Sequence, residues 1–386
     1  MSYEMIEGIP VFGNPLQNAV DQIVNCHKDA NYSALMADHH LGYAVPIGGV
    51  VAYENHISPS GVGYDIACGN KAVKLNCKWE DIELGMESIM DRIFNEISFG
   101  VGKVNLEQVD HALFDSETWK IDVVSGLKDK SRAQLGTTGS GNHYVDIFRD
   151  EDDNVWCGVH FGSRGLGHNI ATHFVKAGGG TDGVNVDPVL LDINSSLGAE
   201  YIECMNLAGE YAYAGRDWVC QKVASIIGCD IIEEIHNHHN FAWRENHHGQ
   251  DLWVIRKGAT PCFPNQKGFV GATMSEASVI LEGVESETSK VALYSTVHGA
   301  GRVMSRTQAR GKVNRKTGEV KSKGLVTEGM MQEAVEANRV VLRGAGVDES
   351  PHCYKRLDQV LGHHEDTIRI LHKLTPVGVA MAGKGQ

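Results

Sequence analysis

Helix-like and strand-like segments follow one another irregularly along all 386 residues, and no proline-rich or low-complexity linker separates them. That order lacks the strand–helix rhythm of a doubly wound parallel sheet and favours a mixed α+β architecture. Apolar spacing predicts a helix from Asn14 to about Cys26, with Asn14 as cap and Pro15 in the first turn. Further helices are expected from about Trp79 to Ile97, Ser196 to about Ile227, Glu328 to Leu342 and Arg356 to Leu374. Strand-type runs cover Val45 to Tyr53, Tyr64 to Leu75, His143 to Phe148, Val155 to Phe161, Leu252 to Arg256, Ala277 to Leu281 and Val291 to Ser295. Glycine-rich stretches at 136–141, 162–167, 177–183 and 298–301 punctuate the order. No boundary is visible, so residues 1–386 read as a single domain.

A hydrophobic content of 42% over this length is enough to bury a substantial core. The start, Met-Ser-Tyr-Glu-Met-Ile-Glu, has no basic segment leading into an apolar one, and no apolar run is long enough to span a bilayer; a cytoplasmic location is expected. The nine cysteines are odd in number, scattered, and never spaced Cys-x-x-Cys, which argues against a disulfide framework and against a structural zinc ribbon. A formal charge of −14 disfavours unspecific nucleic-acid binding. The charge is uneven, however: from Arg302 to Lys323 the bases Arg302, Arg306, Arg310, Lys312, Arg315, Lys316, Lys321 and Lys323 meet only Glu319. Such a strip fits a solvated loop or a phosphate-facing one equally well.

The chain has no Gly-x-x-x-x-Gly-Lys-Ser/Thr phosphate loop, no Gly-x-Gly-x-x-Gly opening a helix, and no Lys-x-Asp-Gly motif of lysine-dependent nucleotidyl transferases. What it has are short clusters around histidines. In Gly61-Val62-Gly63-Tyr64-Asp65-Ile66-Ala67-Cys68-Gly69, Asp65 and Cys68 set a hard oxygen donor beside a soft thiolate, which together could bridge two metal ions. His143 follows the loop Gly139-Ser140-Gly141-Asn142, His160 ends a strand, and His236-Asn237-His238-His239-Asn240 offers several imidazoles. Taken singly, each fits a structural residue better; taken together, Asp65, Cys68, His143, His160 and His239 arrive one or two at a time from distant segments, as ligands of catalytic metals do. Finally, His298 stands between a strand and Gly299-Ala300-Gly301, a position suited to a nucleophile toward phosphorus. Arg302 and Arg306, four apart, could share a helical face and clamp phosphate.

These segments together resemble one family, the RtcB-type RNA-splicing ligases. Asp38-His39-His40-Leu41-Gly42 is similar to the family's Asp-x-His-Leu-Gly, residues 61–69 to its Gly-Val-Gly-x-Asp-x-x-Cys-Gly, and 139–143 to its Gly-Ser-Gly-Asn-His. Residues 162–167, His239-Asn240, Arg256-Lys257-Gly258-Ala259, His298 through Arg302, Ser305-Arg306 and the final Lys384-Gly385 follow in the family order, so the likeness runs from about residue 38 to the end. The resemblance implies one compact domain of mixed central β-sheets flanked by helices. It implies two manganese ions, one on Cys68, His160 and His239 and the other on Asp65, Cys68 and His143. It further implies a guanylylated His298 oriented by Asp38, with GMP held by Asn142, Asp146, Ser278, Ala300, Gly301, Tyr354 and Lys384, and RNA by Arg302 and Arg306.

The implied reaction takes GMP from GTP onto His298, passes it to an RNA 3′-phosphate, formed if necessary from a 2′,3′-cyclic phosphate, and lets a 5′-hydroxyl displace it, as in RNA repair or tRNA splicing. Asp146 stands where many members have glutamate, Gly271-Ala272-Thr273-Met274-Ser275 replaces the usual Pro-Gly-Ser-Met-Gly, and Phe161 replaces a serine, so nucleotide or RNA preference could differ. Two other readings compete: a dinuclear metal-dependent phosphoesterase acting on RNA ends, which leaves His298 without a task, and a catalytically idle RNA-binding paralogue. The sequence assigns neither an oligomeric state nor an activating protein partner.

Overall fold

The computed structural model describes residues 2–313 and 320–383. Among them, two large sheets carry the architecture, with helices packed around them, which is the α+β class expected. The smaller sheet orders Tyr3–Ile6, Ile9–Phe12, Tyr32–His40, Ile47–Tyr53, Gln250–Lys257 and Asn240–His247. The larger runs Ile231–His238, Gly69–Lys78, Asn154–Phe161, Tyr144–Arg149, Ile368–Met381, Ser278–Gly283 and Lys267–Val270, with Val341–Arg343 added in parallel to Ile368–Met381. Most pairings are antiparallel, while Ile9–Phe12 and Tyr32–His40 pair in parallel, so both sheets are mixed.

One feature of the path places the site. Strand Ile231–His238 is an edge of the larger sheet and Asn240–His247 an edge of the smaller, so the chain crosses between sheets at His239. Backbone bonds pin the crossing to the Cys68 loop: His239 N donates to Cys68 O at 2.8 Å, and Ala67 N to Asn240 O at 2.7 Å. Helix Ser196–Ile227 lies against the larger sheet; Ser195 Oγ caps it by accepting from Gly198 N, and Gly228 ends it in the left-handed conformation. Among the described residues no helix is long and apolar enough to cross a membrane.

Several local expectations need correction. The first helix is Gln17–His27, capped by Leu16, whose N–H donates to His39 Nε2 at 3.1 Å; Asn14 and Pro15 lie ahead of it. The segment 79–97 is broken at Gly85 into Trp79–Ile82 and Met86–Glu96. Glu328–Ala337 is helical, but Val341–Arg343 is a strand. The predicted helix from Arg356 to Leu374 is helical only over Leu357–Gly362, after which Ile368–Met381 is a 14-residue strand. The helical spacing of Leu357, Val360 and Leu361 runs on by coincidence into β-branched Ile368 and Ile370, and Pro376 sits at an irregularity in the ladder, where its missing N–H is tolerated. Helix Arg164–Ala177 went unread because its glycines look like a turn; a Cβ on Gly167 would meet Ser163 Oγ at 2.0 Å, so glycine here serves close packing.

Arg256 fastens the segment leading to His298. Its guanidinium is fully buried, donates to both carboxylate oxygens of Glu245 at 2.7 and 3.0 Å, and reaches Ser295 Oγ at 2.8 Å and Leu293 O at 2.9 Å. Burial works against the Glu245 carboxylate, but the Arg256 charge and the His247 contact more than offset it and hold its pKa below the ordinary value. Arg256→Ala should therefore lose about 3–5 kcal/mol in urea unfolding at neutral pH, since it strands a buried carboxylate. Because the folded pKa is depressed, the Glu245 contribution is present above the unfolded value of about 4.3 and is lost as pH falls through the folded one. Glu245→Gln should flatten that acid limb of the stability curve.

Candidate active site

Cys68 is turned toward the interior by Ala67, which holds φ +59°, a conformation that side chains rarely adopt. The Cys68 Sγ lies 3.2 Å from His160 Nε2 and 3.6 Å from His143 Nε2, and the three donor atoms are within 4.8 Å of one another. Each imidazole is fixed from behind: His143 Nδ1 meets Thr138 O at 2.9 Å and His160 Nδ1 meets Asn142 O at 3.0 Å. A ring nitrogen facing a carbonyl carries its proton, so the Nε2 lone pair of His160 faces the sulfur, while His143 turns its Nε2 between the sulfur and Asp65. Asp65 Oδ2 is 3.0 Å from His143 Nε2. The His239 ring stands 5.1 Å from that of His160, and its Nδ1 is buried without a hydrogen-bond partner.

Convergent thiol and imidazole donors, with a carboxylate alongside and an orphaned buried ring nitrogen, suit a divalent cation. Burial pushes the Cys68 thiol well up, with Asp65 adding to the rise. Burial likewise drives the His160 and His239 pKa values well down, leaving neutral rings. Burial opposes ionisation of Asp65, yet hydrogen bonding and charge from His143 keep its pKa below the ordinary value. Thus Cys68, His143 and His160 converge directly, with Asp65 against His143 and His239 one ring away.

His239 also leads to His298, 4.8 Å away between ring centroids. His298 Nδ1 is 2.6 Å from Oδ2 of the fully buried Asp38, which also accepts from the backbone N–H of His298 at 3.0 Å and of Gly299 at 3.3 Å. Burial disfavours the Asp38 charge, but His298 and the nearby Lys355 more than compensate, so its pKa is lowered. Gly301, at φ +75°, passes so close that a Cβ would sit 2.1 Å from Asp38 O. Asn70, not singled out from sequence, donates to His298 O at 3.2 Å and Phe269 O at 3.0 Å, tying the histidine loop to the strand that follows Cys68.

A cavity of about 550 Å³ opens over these groups, with Asp65, Cys68, His143, His160, His239 and His298 in its lining. Asn142, Asp146, Ala300, Gly301, Arg302, Arg306 and Tyr354 line it as well. Burial pushes the Asp146 carboxyl well up, and its Oδ1 has no partner. Ser278 stands behind the wall, its hydroxyl accepting from Ala272 N at 2.9 Å, so it supports the 271–275 loop. Lys384 lies outside the described residues, as do Arg315 and Lys316.

The expected helical face of Arg302 and Arg306 is not there: the helix is Arg306–Arg310, capped by Ser305, and Arg302 instead bridges Tyr354. The two arginines meet at buried Glu349, which sequence reading missed because nothing in its neighbourhood marks it. Arg302 is spent internally, donating to Tyr354 Oη at 2.8 Å, Asp348 O at 2.7 Å and Met304 O at 3.1 Å. Arg306 reaches Asn142 Oδ1 at 3.4 Å.

The family described as "tRNA-splicing ligase RtcB" matches residues 20–126 and 115–382, and the chain belongs to this RtcB family. It is 29% identical to the tRNA-splicing ligase RtcB of Archaeoglobus fulgidus over 90% of this chain and 87% of the relative. It is 28% identical to the RNA-splicing ligase RtcB of Escherichia coli over 98% of this chain and 99% of the relative. A third relative, from Thermococcus kodakarensis, is 28% identical over 90% of this chain.

Gly162 gives a direct handle on the candidate metal ligands, because a Cβ there would lie 2.2 Å from Asp65 Oδ1. Gly162→Ala should weaken divalent-metal affinity about tenfold by displacing that carboxylate. Calorimetric titration of the metal-free protein with manganese checks it; an unchanged dissociation constant would separate Asp65 from metal binding.

Proposed function

We propose that this protein is a cytoplasmic, metal-dependent RNA ligase in which His298 accepts GMP from GTP before RNA 3′-phosphate or 2′,3′-cyclic phosphate ends are joined to 5′-hydroxyl ends. The observation that carries the reading is the His298 ring, backed at 2.6 Å by the buried Asp38 and facing a cavity that also holds Cys68, His143 and His160. With Nδ1 turned to the carboxylate, Nε2 keeps a lone pair for phosphorus, and Asp38 stabilises the positive charge that develops on the ring.

Manganese ions bound by Asp65, Cys68, His143, His160 and His239 would neutralise phosphate charge and polarise phosphorus. His298 Nε2 forms a bond to the α-phosphorus of GTP as the α–β bridging bond breaks and pyrophosphate departs. An RNA 3′-phosphate oxygen then displaces His298 from that phosphorus. Last, a 5′-hydroxyl oxygen attacks the RNA phosphorus, GMP leaves, and a 3′,5′ linkage remains. Asn142, Asp146, Ala300, Gly301 and Tyr354 line the space for GMP, with Ser278 shaping it from behind and Lys384 as the contact expected from the sequence. The exposed Lys312, Lys321 and Lys323, on paired strands Gly311–Val313 and Val320–Lys323, suit an RNA backbone better than Arg302, whose donors are already taken.

Incubation with labelled GTP and manganese should give an acid-labile, alkali-stable protein adduct that His298→Ala abolishes. Asp38→Asn should slow its formation on the order of ten-thousandfold, by analogy with loss of a carboxylate that fixes an imidazole tautomer. A native protein that forms no adduct yet trims RNA phosphates would overturn the reading in favour of a phosphoesterase.

A further inference from the structure

The run His236-Asn237-His238-His239-Asn240 contains two imidazoles for which the reaction has no use. Both face Arg216, in the middle of helix Ser196–Ile227. The Arg216 side chain is fully buried, and among the described residues no carboxylate lies within ion-pair distance of it. A guanidinium taken from water without a counter-charge is costly, so its N–H groups call for neutral acceptors.

Four of its five N–H groups have such acceptors, and these are telling. Nε donates to His236 Nε2 at 2.7 Å, one terminal nitrogen donates to Ala67 O at 3.0 Å and Phe161 O at 2.5 Å, and the other meets His238 Nδ1 at 2.8 Å. Ala67 precedes Cys68, Phe161 follows His160, and His238 precedes His239. One rigid planar group therefore touches the chain immediately beside three donor residues that come from three separate segments. Tyr213, one turn earlier on the helix, stacks on His238 at 3.9 Å and meets His236 edge-on at 4.3 Å, keeping both rings turned to the guanidinium.

We propose that Arg216 is a positioning residue for the metal centre, setting the mutual placement of Cys68, His160 and His239 through their neighbours, with His236 and His238 as its dedicated acceptors. The assignment rests on the reading of those three residues as metal ligands. Lysine at this position keeps a charge but has no planar fork, so it cannot hold all four acceptors at once.

The test is titration of the metal-free full chain with cobalt(II) alone, following ligand-field absorption and the thiolate-to-cobalt band, for the native protein, Arg216→Lys and Cys68→Ser. Arg216→Lys should keep the native far-ultraviolet circular dichroism yet bind cobalt at least about tenfold more weakly, with an altered ligand-field spectrum. Should that variant not fold, His236→Leu carries the test: it removes one acceptor from a partly exposed edge-strand position, and is expected to weaken cobalt binding about threefold or more. Affinity and spectrum within twofold of native in a folded variant would overturn the proposal. A native protein lacking the thiolate band, or a Cys68→Ser protein retaining it, would instead overturn the metal-site reading on which the proposal stands.

Discussion

Everything at the centre of this molecule depends on the contact between one buried thiol and two imidazoles, Cys68 Sγ with His160 Nε2 at 3.2 Å and His143 Nε2 at 3.6 Å. The three residues sit on different segments, so the contact exists only if the larger sheet closes in the right register: Asn70 opposite His160, and His160 opposite Tyr144. The chain's passage between sheets at His239 adds a further donor, and backbone bonds from His239 and Asn240 to Cys68 O lock that passage in place. A slip of one residue would turn each of these side chains to the opposite face.

Three acidic residues govern the polar surroundings, in two different ways. Asp38 is fully buried and serves a single ring, His298, along with two backbone N–H groups of the same loop. Asp348 and Glu349 bind Arg302 and Arg306 at the other side of the cavity, which reduces the positive charge those arginines offer to a ligand. The exposed lysines of the neighbouring strand pair have no such partners among the described contacts, so a polyanion meets them first in an otherwise acidic protein.

Much of the site is legible in the sequence because its residues lie in short glycine-flanked clusters whose order matches a family. Asp65, Cys68, His143, His160, His239 and His298 all line one cavity. What is not legible is the supporting frame. Glu349, Asn70 and Arg216 act over 47, 228 and 149 positions of sequence separation, and no local pattern announces such partners. The fold class follows from irregular alternation, but the long strand Ile368–Met381 was hidden by a helical spacing of apolar residues, and tertiary pairing on both its edges decided the matter. Likewise the helical face expected for Arg302 and Arg306 fails because an ion-pair network, not helix geometry, brings them together.

The proposed reaction requires a cation at Cys68 next to a histidine, His298, that takes up a nucleotide. Anomalous diffraction at the manganese edge from crystals soaked with manganese and GTP addresses both halves at once. The expected map has an anomalous peak in contact with Cys68 Sγ, His143 Nε2 and His160 Nε2, and density continuous from His298 Nε2 to a phosphorus atom. Manganese bound away from the thiol, or a nucleotide phosphate bonded to a group other than His298, would contradict it.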